Sequence, residues 1–112
     1  MAENHLGEIV WSPLSNLLLY GATTRIAAAK AAGLRIAISS DWSPSGTKNL
    51  LGELKIARRV SGRAGGIFTD RELAKAVTCV PARMLGWDQF VGSIEVNKTA
   101  DLLVIEGTGS DP

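Results

Sequence analysis

One cysteine and one histidine in 112 residues rule out a good deal at the start. With Cys79 alone there is no intrachain disulfide and no thiolate cluster to hold zinc. A reducing, cytoplasmic setting is the simplest expectation. Charge of one sign is also lacking. Twelve Lys and Arg against 11 Asp and Glu leave a net +1, which draws the chain neither to nucleic acid nor to an anionic membrane. No apolar run approaches the ~18 residues of a membrane span. The opening Met1-Ala2-Glu3-Asn4-His5 lacks the charged-then-apolar pattern of a signal peptide. What remains, 46% hydrophobic and 21% charged residues, is an ordinary globular composition with room for one modest core.

The stretch around which the chain is organised is Arg35-Ile36-Ala37-Ile38-Ser39-Ser40-Asp41-Trp42-Ser43-Pro44-Ser45-Gly46. A short β-branched run gives way to small polar residues, one carboxylate and a Pro/Gly loop. A buried parallel strand that delivers an acid to its C-terminal mouth reads this way. Asp41 is therefore the main candidate for chemistry.

Around it the pattern alternates. Glu8-Ile9-Val10-Trp11 reads as a first strand, broken by turn chemistry at Ser12-Pro13-Leu14-Ser15-Asn16. Leu17-Leu18-Leu19-Tyr20 is too short for a helix of its own. An alanine-rich helix is expected over 23–32, with Gly33 as its stop, and a second strand over 34–39. A further helix is expected over 48–60, N-capped by Thr47, with Leu50, Leu51, Leu54, Ala57 and Val60 on one face. Residues 61–66 read as a connection. Thr69 and Glu72 make a capping box for a helix that buries Leu73, Ala76 and Val77. Pro81 opens a short helix that Gly86 ends. The period then changes: 91–96 alternates, Asn97-Lys98 turns and 101–105 runs apolar, which predicts a β-hairpin before a polar, fraying tail at 107–112. Two βα units imply two parallel strands, and such strands are normally covered on both faces.

Three segments together resemble a known family: Trp11-Ser12-Pro13-Leu14-Ser15-Asn16-Leu17-Leu18-Leu19-Tyr20-Gly21, Ser40-Asp41-Trp42-Ser43-Pro44-Ser45-Gly46 and Asn49-Leu50-Leu51-Gly52-Glu53-Leu54. They are similar to the C-terminal part of a metal-dependent amidohydrolase of the cytosine-deaminase, chlorohydrolase and imidazolonepropionase type. The later Thr78-Cys79-Val80-Pro81-Ala82-Arg83-Met84-Leu85-Gly86 resembles the family's T-x-x-P-A-x-x-L-G helices. The stretch from Val91 to Leu102 resembles its G-S-I-E-x-G-K-x-A-D-L hairpin, with Asn97 in place of the usual turn glycine; asparagine is the next most tolerant residue of positive φ.

The resemblance implies an α/β fold: the last two βα units of a (β/α)8 TIM barrel over residues 1–86, with strands 7 and 8, then a β-hairpin of the small composite β-sandwich domain over 87–112. Such a barrel takes about 250 residues, so the chain corresponds to its final quarter. The implied role of Asp41 is catalytic: in a complete site it touches the metal and moves the proton of the attacking water. The bland alternative is an aspartate that only caps its own loop. Ser15, Asn16 and Trp42 are candidate substrate contacts, with turn formation and packing as their ordinary roles. Glu53 could reach back from its helix to the loop, but reads more readily as a solvated helical glutamate. Lys55, Arg58, Arg59 and Arg63 read as a basic run near a helix C-terminus, and Cys79 as a buried small hydrophobe.

The family's His-x-His on strand 1 and its later ligands have no counterpart here, and His5 precedes the first strand. The parent cofactor is a divalent metal, zinc or iron; none is expected in the isolated chain. The expectation is thus a fragment or truncated relative of a hydrolase acting on C–N or related bonds of small cyclic substrates, inactive alone. The alternative is a small non-catalytic interaction or oligomerisation module. Expected partners are a small-molecule substrate, and either a second copy or the missing N-terminal barrel portion, which would cover open strand edges and Val10, Ile36, Ile38, Leu102 and Val104.

Overall fold

The computed structural model describes residues 7–107; His5 and most of the tail from 107 to 112 lie outside the described residues. The strands fall where the β-branched runs place them: β1 is Glu8–Trp11 and β2 is Arg35–Ile38. They pair in parallel, from Glu8 opposite Arg35 to Trp11 opposite Ile38. An Arg35–Glu8 ion pair at 2.8 Å marks the open end of that register. Parallel pairing needs a crossover, and two helices provide it, α1 (Pro13–Tyr20) and α2 (Ile26–Ala31).

Helix α1 corrects the reading of 12–20 as a turn followed by a stub. Pro13 sits in its first turn, where a missing N–H costs nothing. Gly21, at φ 70°, ends it by donating to the Leu17 carbonyl at 3.0 Å. Helix α2 starts three residues later than expected, at Ile26.

The remaining helices are α3 (Leu50–Arg63), α4 (Asp70–Ala76) and α5 (Cys79–Met84). Asn49, not Thr47, caps α3: its side chain accepts from the Gly52 amide at 3.1 Å. Helix α3 also runs on through Ser61, Gly62 and Arg63 into the expected connection. The Ser61 hydroxyl ties this end to Phe68: it accepts from the Phe68 amide at 2.7 Å and donates to the Phe68 carbonyl at 3.2 Å. The capping box of α4 forms as expected. Thr69 Oγ1 accepts from the Glu72 amide and Glu72 Oε2 accepts from the Thr69 amide at 2.8 Å. Helix α5 begins at Cys79, two residues before Pro81, and Gly86 follows it at φ 69°.

The core forms where these helices cover β2. Trp11, Ile26, Ile36, Ile38, Ala57, Leu73 and Ala76 are buried together, with Leu54, Val60 and Phe68 packed against them. The Trp11 ring stacks on Phe68 with centroids 5.9 Å apart, and its Nε1 donates to Thr23 Oγ1 at 3.0 Å. Lys30 lies over the other ring of the pair, 4.7 Å from the Phe68 centroid, and reaches Glu72 at 2.8 Å. Ile36 and Ile38 are therefore covered, contrary to expectation, whereas Val10 is 58% exposed.

The hairpin expected after residue 90 is not formed. Among the described residues the sheet has two strands only. The Asn97 turn does exist, at φ 70°, closed by the Lys98 amide donating to the Glu95 carbonyl at 3.2 Å. The apolar side chains on either side find no cover: Ile94 is 85% exposed and Val104 93%. Alternation sets which face a strand would bury, but a strand needs a ladder partner and something to bury against. No described helix is long and apolar enough to cross a membrane.

Candidate functional site

Helix α1 follows β1 directly and Asp41 follows β2 by three residues, so both lie at the C-terminal edge of the parallel pair. That edge is where sites of open sheets and barrels form. The loop that carries Asp41 is tightly wound. Ser45 and Gly46 both donate their amides to the Trp42 carbonyl, at 3.1 and 2.9 Å. A Cβ at position 46 would fall 1.7 Å from the Ser40 carbonyl oxygen, so only glycine fits there. Asp41 itself has φ 61°, a left-handed conformation that aspartate tolerates better than most residues.

The Asp41 carboxylate is held from one side. Ser15, in the first turn of α1 and only 1% exposed, donates its hydroxyl to Asp41 Oδ2 at 2.7 Å. The buried Ser45 hydroxyl is 3.0 Å from Ser15 Oγ. Since Ser15 has one proton and gives it to Asp41, Ser45 donates in turn to Ser15. The result is a two-hydroxyl relay ending on a solvent-exposed carboxylate.

For Glu53 the structure overturns the favoured reading, a solvated glutamate, and shows the alternative, a side chain that reaches back to the loop. Glu53 is completely buried. Its Oε1 accepts from the Thr47 amide at 2.9 Å and its Oε2 from the Leu14 amide at 3.1 Å. Ser12, at the N-cap of α1, makes no side-chain cap of its own. Glu53 supplies that cap from α3, where a negative charge also meets the positive end of the α1 dipole. Gly52 permits the approach, since a Cβ there would meet the Thr47 side chain at 2.7 Å.

The side chains of the other sequence candidates do not join this hydrogen-bond chain. Asn16 Oδ1 accepts from the Thr24 amide at 3.4 Å, bracing the link from α1 to α2. Trp42 is adjacent to Asp41 and 63% exposed. In the basic run, Arg58 pairs with Asp70 at 3.1 Å. Cys79 is half-buried rather than buried, and borders a cleft of about 500 Å³ with Arg83, Asp88, Ser93, Glu95 and Lys98. Charges there satisfy one another: the Ser93 hydroxyl and Lys98 both bond Glu95 and hold its carboxyl below the usual range.

The family model for amidohydrolases matches residues 3–112. The chain belongs to the amidohydrolase family. A 5-methylthioadenosine/S-adenosylhomocysteine deaminase of Moorella thermoacetica is 30% identical over 95% of the chain and 26% of its own length. The protein of the same name from Symbiobacterium thermophilum is 27% identical over 95% of the chain and 25% of its length. An imidazolonepropionase of Fusobacterium nucleatum is 35% identical over 67% of the chain and 17% of its length. The chain thus spans about a quarter or less of the relatives it matches. The family is a hydrolase family that generally works with a divalent metal. Among the described residues, no group of three His, Cys, Asp or Glu side chains is arranged to hold an ion. Asp41 offers one carboxylate, and these residues by themselves do not fit a catalytic metal, which takes three protein ligands.

Proposed function

We propose that this chain is the C-terminal quarter of an amidohydrolase that hydrolyses C–N bonds of small cyclic substrates, and that Asp41 is its proton-moving carboxylate. The observation that carries this reading is the Ser15–Asp41 hydrogen bond at the C-terminal edge of β1 and β2, in a chain of this family. In the reaction, water adds to the ring carbon bearing the leaving nitrogen. Asp41 takes the proton that the water loses and returns it to that nitrogen as the bond breaks. The names of the relatives direct the substrate search toward N-heterocycles that lose an exocyclic amine, or imidazolone rings. Trp42, beside Asp41 and exposed, borders the substrate in this reading, and Asn16 shapes the neighbouring loop.

By itself the chain is inactive, because the remaining ligands and six barrel strands come from elsewhere. In this reading that missing portion packs on Val10, Ile94, Val96, Leu102 and Val104, and their exposure supports it. A second copy of the chain is the alternative cover, since open strand edges and apolar faces recruit partners. The lone Cys79 suits a reducing cytoplasm. The test is complementation. The chain is combined with a polypeptide carrying the first three quarters of the Moorella relative, and amine release from 5-methylthioadenosine is followed. Activity and a stoichiometric complex support the reading; a stable homodimer that ignores the added polypeptide supports a non-catalytic module.

A further inference from the structure

Glu53 is a fully buried carboxylate with no place in the proton transfer, yet it touches both segments that build the site. Its Oε2 holds the amide of Leu14, the residue before Ser15. Its Oε1 holds the amide of Thr47, two residues after Ser45. Ser15 and Ser45 are the two hydroxyls of the relay to Asp41. Backbone and side chain therefore form a closed circuit: Glu53 to Leu14, along the chain to Ser15, across to Ser45, and back through Thr47 to Glu53.

We propose that Glu53 is a positioning residue, which clamps α1 to the loop after β2 and so fixes the orientation of Asp41 without touching substrate. The inference rests on the reading of Asp41 as the reacting carboxylate, but its mechanics do not. A carboxylate suits the task better than a neutral side chain. It presents two acceptor oxygens and no donor, so both amides are satisfied at once and neither oxygen repels its partner. Distance matters as well: one buried group spans 39 residues on one side and six on the other. Loss of the clamp frees a loop whose Asp41 already sits in the left-handed region and whose Gly46 is packed against the Ser40 carbonyl.

The experiment uses NMR on the isotopically labelled 112-residue chain, with no activity required. Side-chain couplings to Asp41 Cγ report its χ1 rotamer. The wild type is expected to show a single rotamer, and Glu53→Ala averaged couplings, with β2 and α4 amide shifts unchanged. Glu53→Gln, which keeps one acceptor, is expected to fall between them. The control is Glu72→Gln, which weakens the Lys30 pairing on α4 and is expected to leave the Asp41 couplings as in wild type. Unchanged Asp41 couplings in folded Glu53→Ala, or equal averaging in Glu72→Gln, would overturn the proposal. Should Glu53→Ala not fold, hydrogen exchange on the wild type decides. Leu14 and Thr47 amides held by one group open together, so their protection should agree within about tenfold. A difference of about a hundredfold or more would show that no common clamp exists. If the couplings respond as expected and complementation still yields no turnover, the clamp stands and only the reading of Asp41 fails.

Discussion

Ser15 and Asp41, 26 positions apart in sequence, meet at 2.7 Å because two parallel strands end side by side. The contact is directional: a buried hydroxyl gives its proton to an exposed carboxylate, and a second buried hydroxyl completes the first. Removing the middle member should therefore cost more than removing an isolated surface bond. Ser15→Ala strands the Ser45 hydroxyl in a buried place, a penalty of roughly 1–3 kcal/mol. Urea unfolding at neutral pH checks it, with a lower midpoint and an unchanged m-value expected.

Two glycines give a paired test of packing. Gly46→Ala drives a methyl into the Ser40 carbonyl and should cost at least the roughly 1–3 kcal/mol of ordinary overpacking. Gly62, near the end of α3, has open space at its Cβ, and Gly62→Ala should stabilise by about 0.5–1 kcal/mol. Thermal melts should move in opposite directions.

Acid should remove the stability contributed by the Lys30–Glu72 link. The Lys30 ammonium, then the Thr69 amide, hold the Glu72 carboxyl down to about 2 from an ordinary 4.5. A depressed carboxyl contributes its stability above its unfolded pKa and loses it as pH falls. The loss should therefore run between about pH 4.5 and 2, and Glu72→Gln should remove the Glu72 part of that slope. Because the Glu72 side chain is 43% exposed, salt should also weaken the link. Melting midpoints across pH and ionic strength, compared with Glu72→Gln, check both.

The two strands, the capping box and the acid at the end of β2 were legible because each is written in local residues. Helix α1 was not. Ser12, Pro13 and Asn16 are turn formers as well as helix-start residues, and four apolar residues gave no period to separate the cases. Asn49 and Thr47 both precede the same apolar face, so local residues do not decide which of them caps α3. The solvated reading of Glu53 fails for a different reason. Its burial depends on amides contributed by Leu14 and Thr47, which no periodicity within α3 encodes. The alternating stretch at 91–96 shows the opposite failure: the pattern is present and the partner is not.

The measurement that bears most directly on the whole account compares wild type with Asp41→Asn in the complemented protein. Asparagine keeps an acceptor for Ser15 but takes up no proton. The chain alone should release no amine from 5-methylthioadenosine, the complemented wild type should turn over, and the complemented Asp41→Asn should form the same complex with kcat lowered by roughly 10²–10⁴. Turnover by the isolated chain, or near-normal turnover by the Asp41→Asn complex, would contradict it.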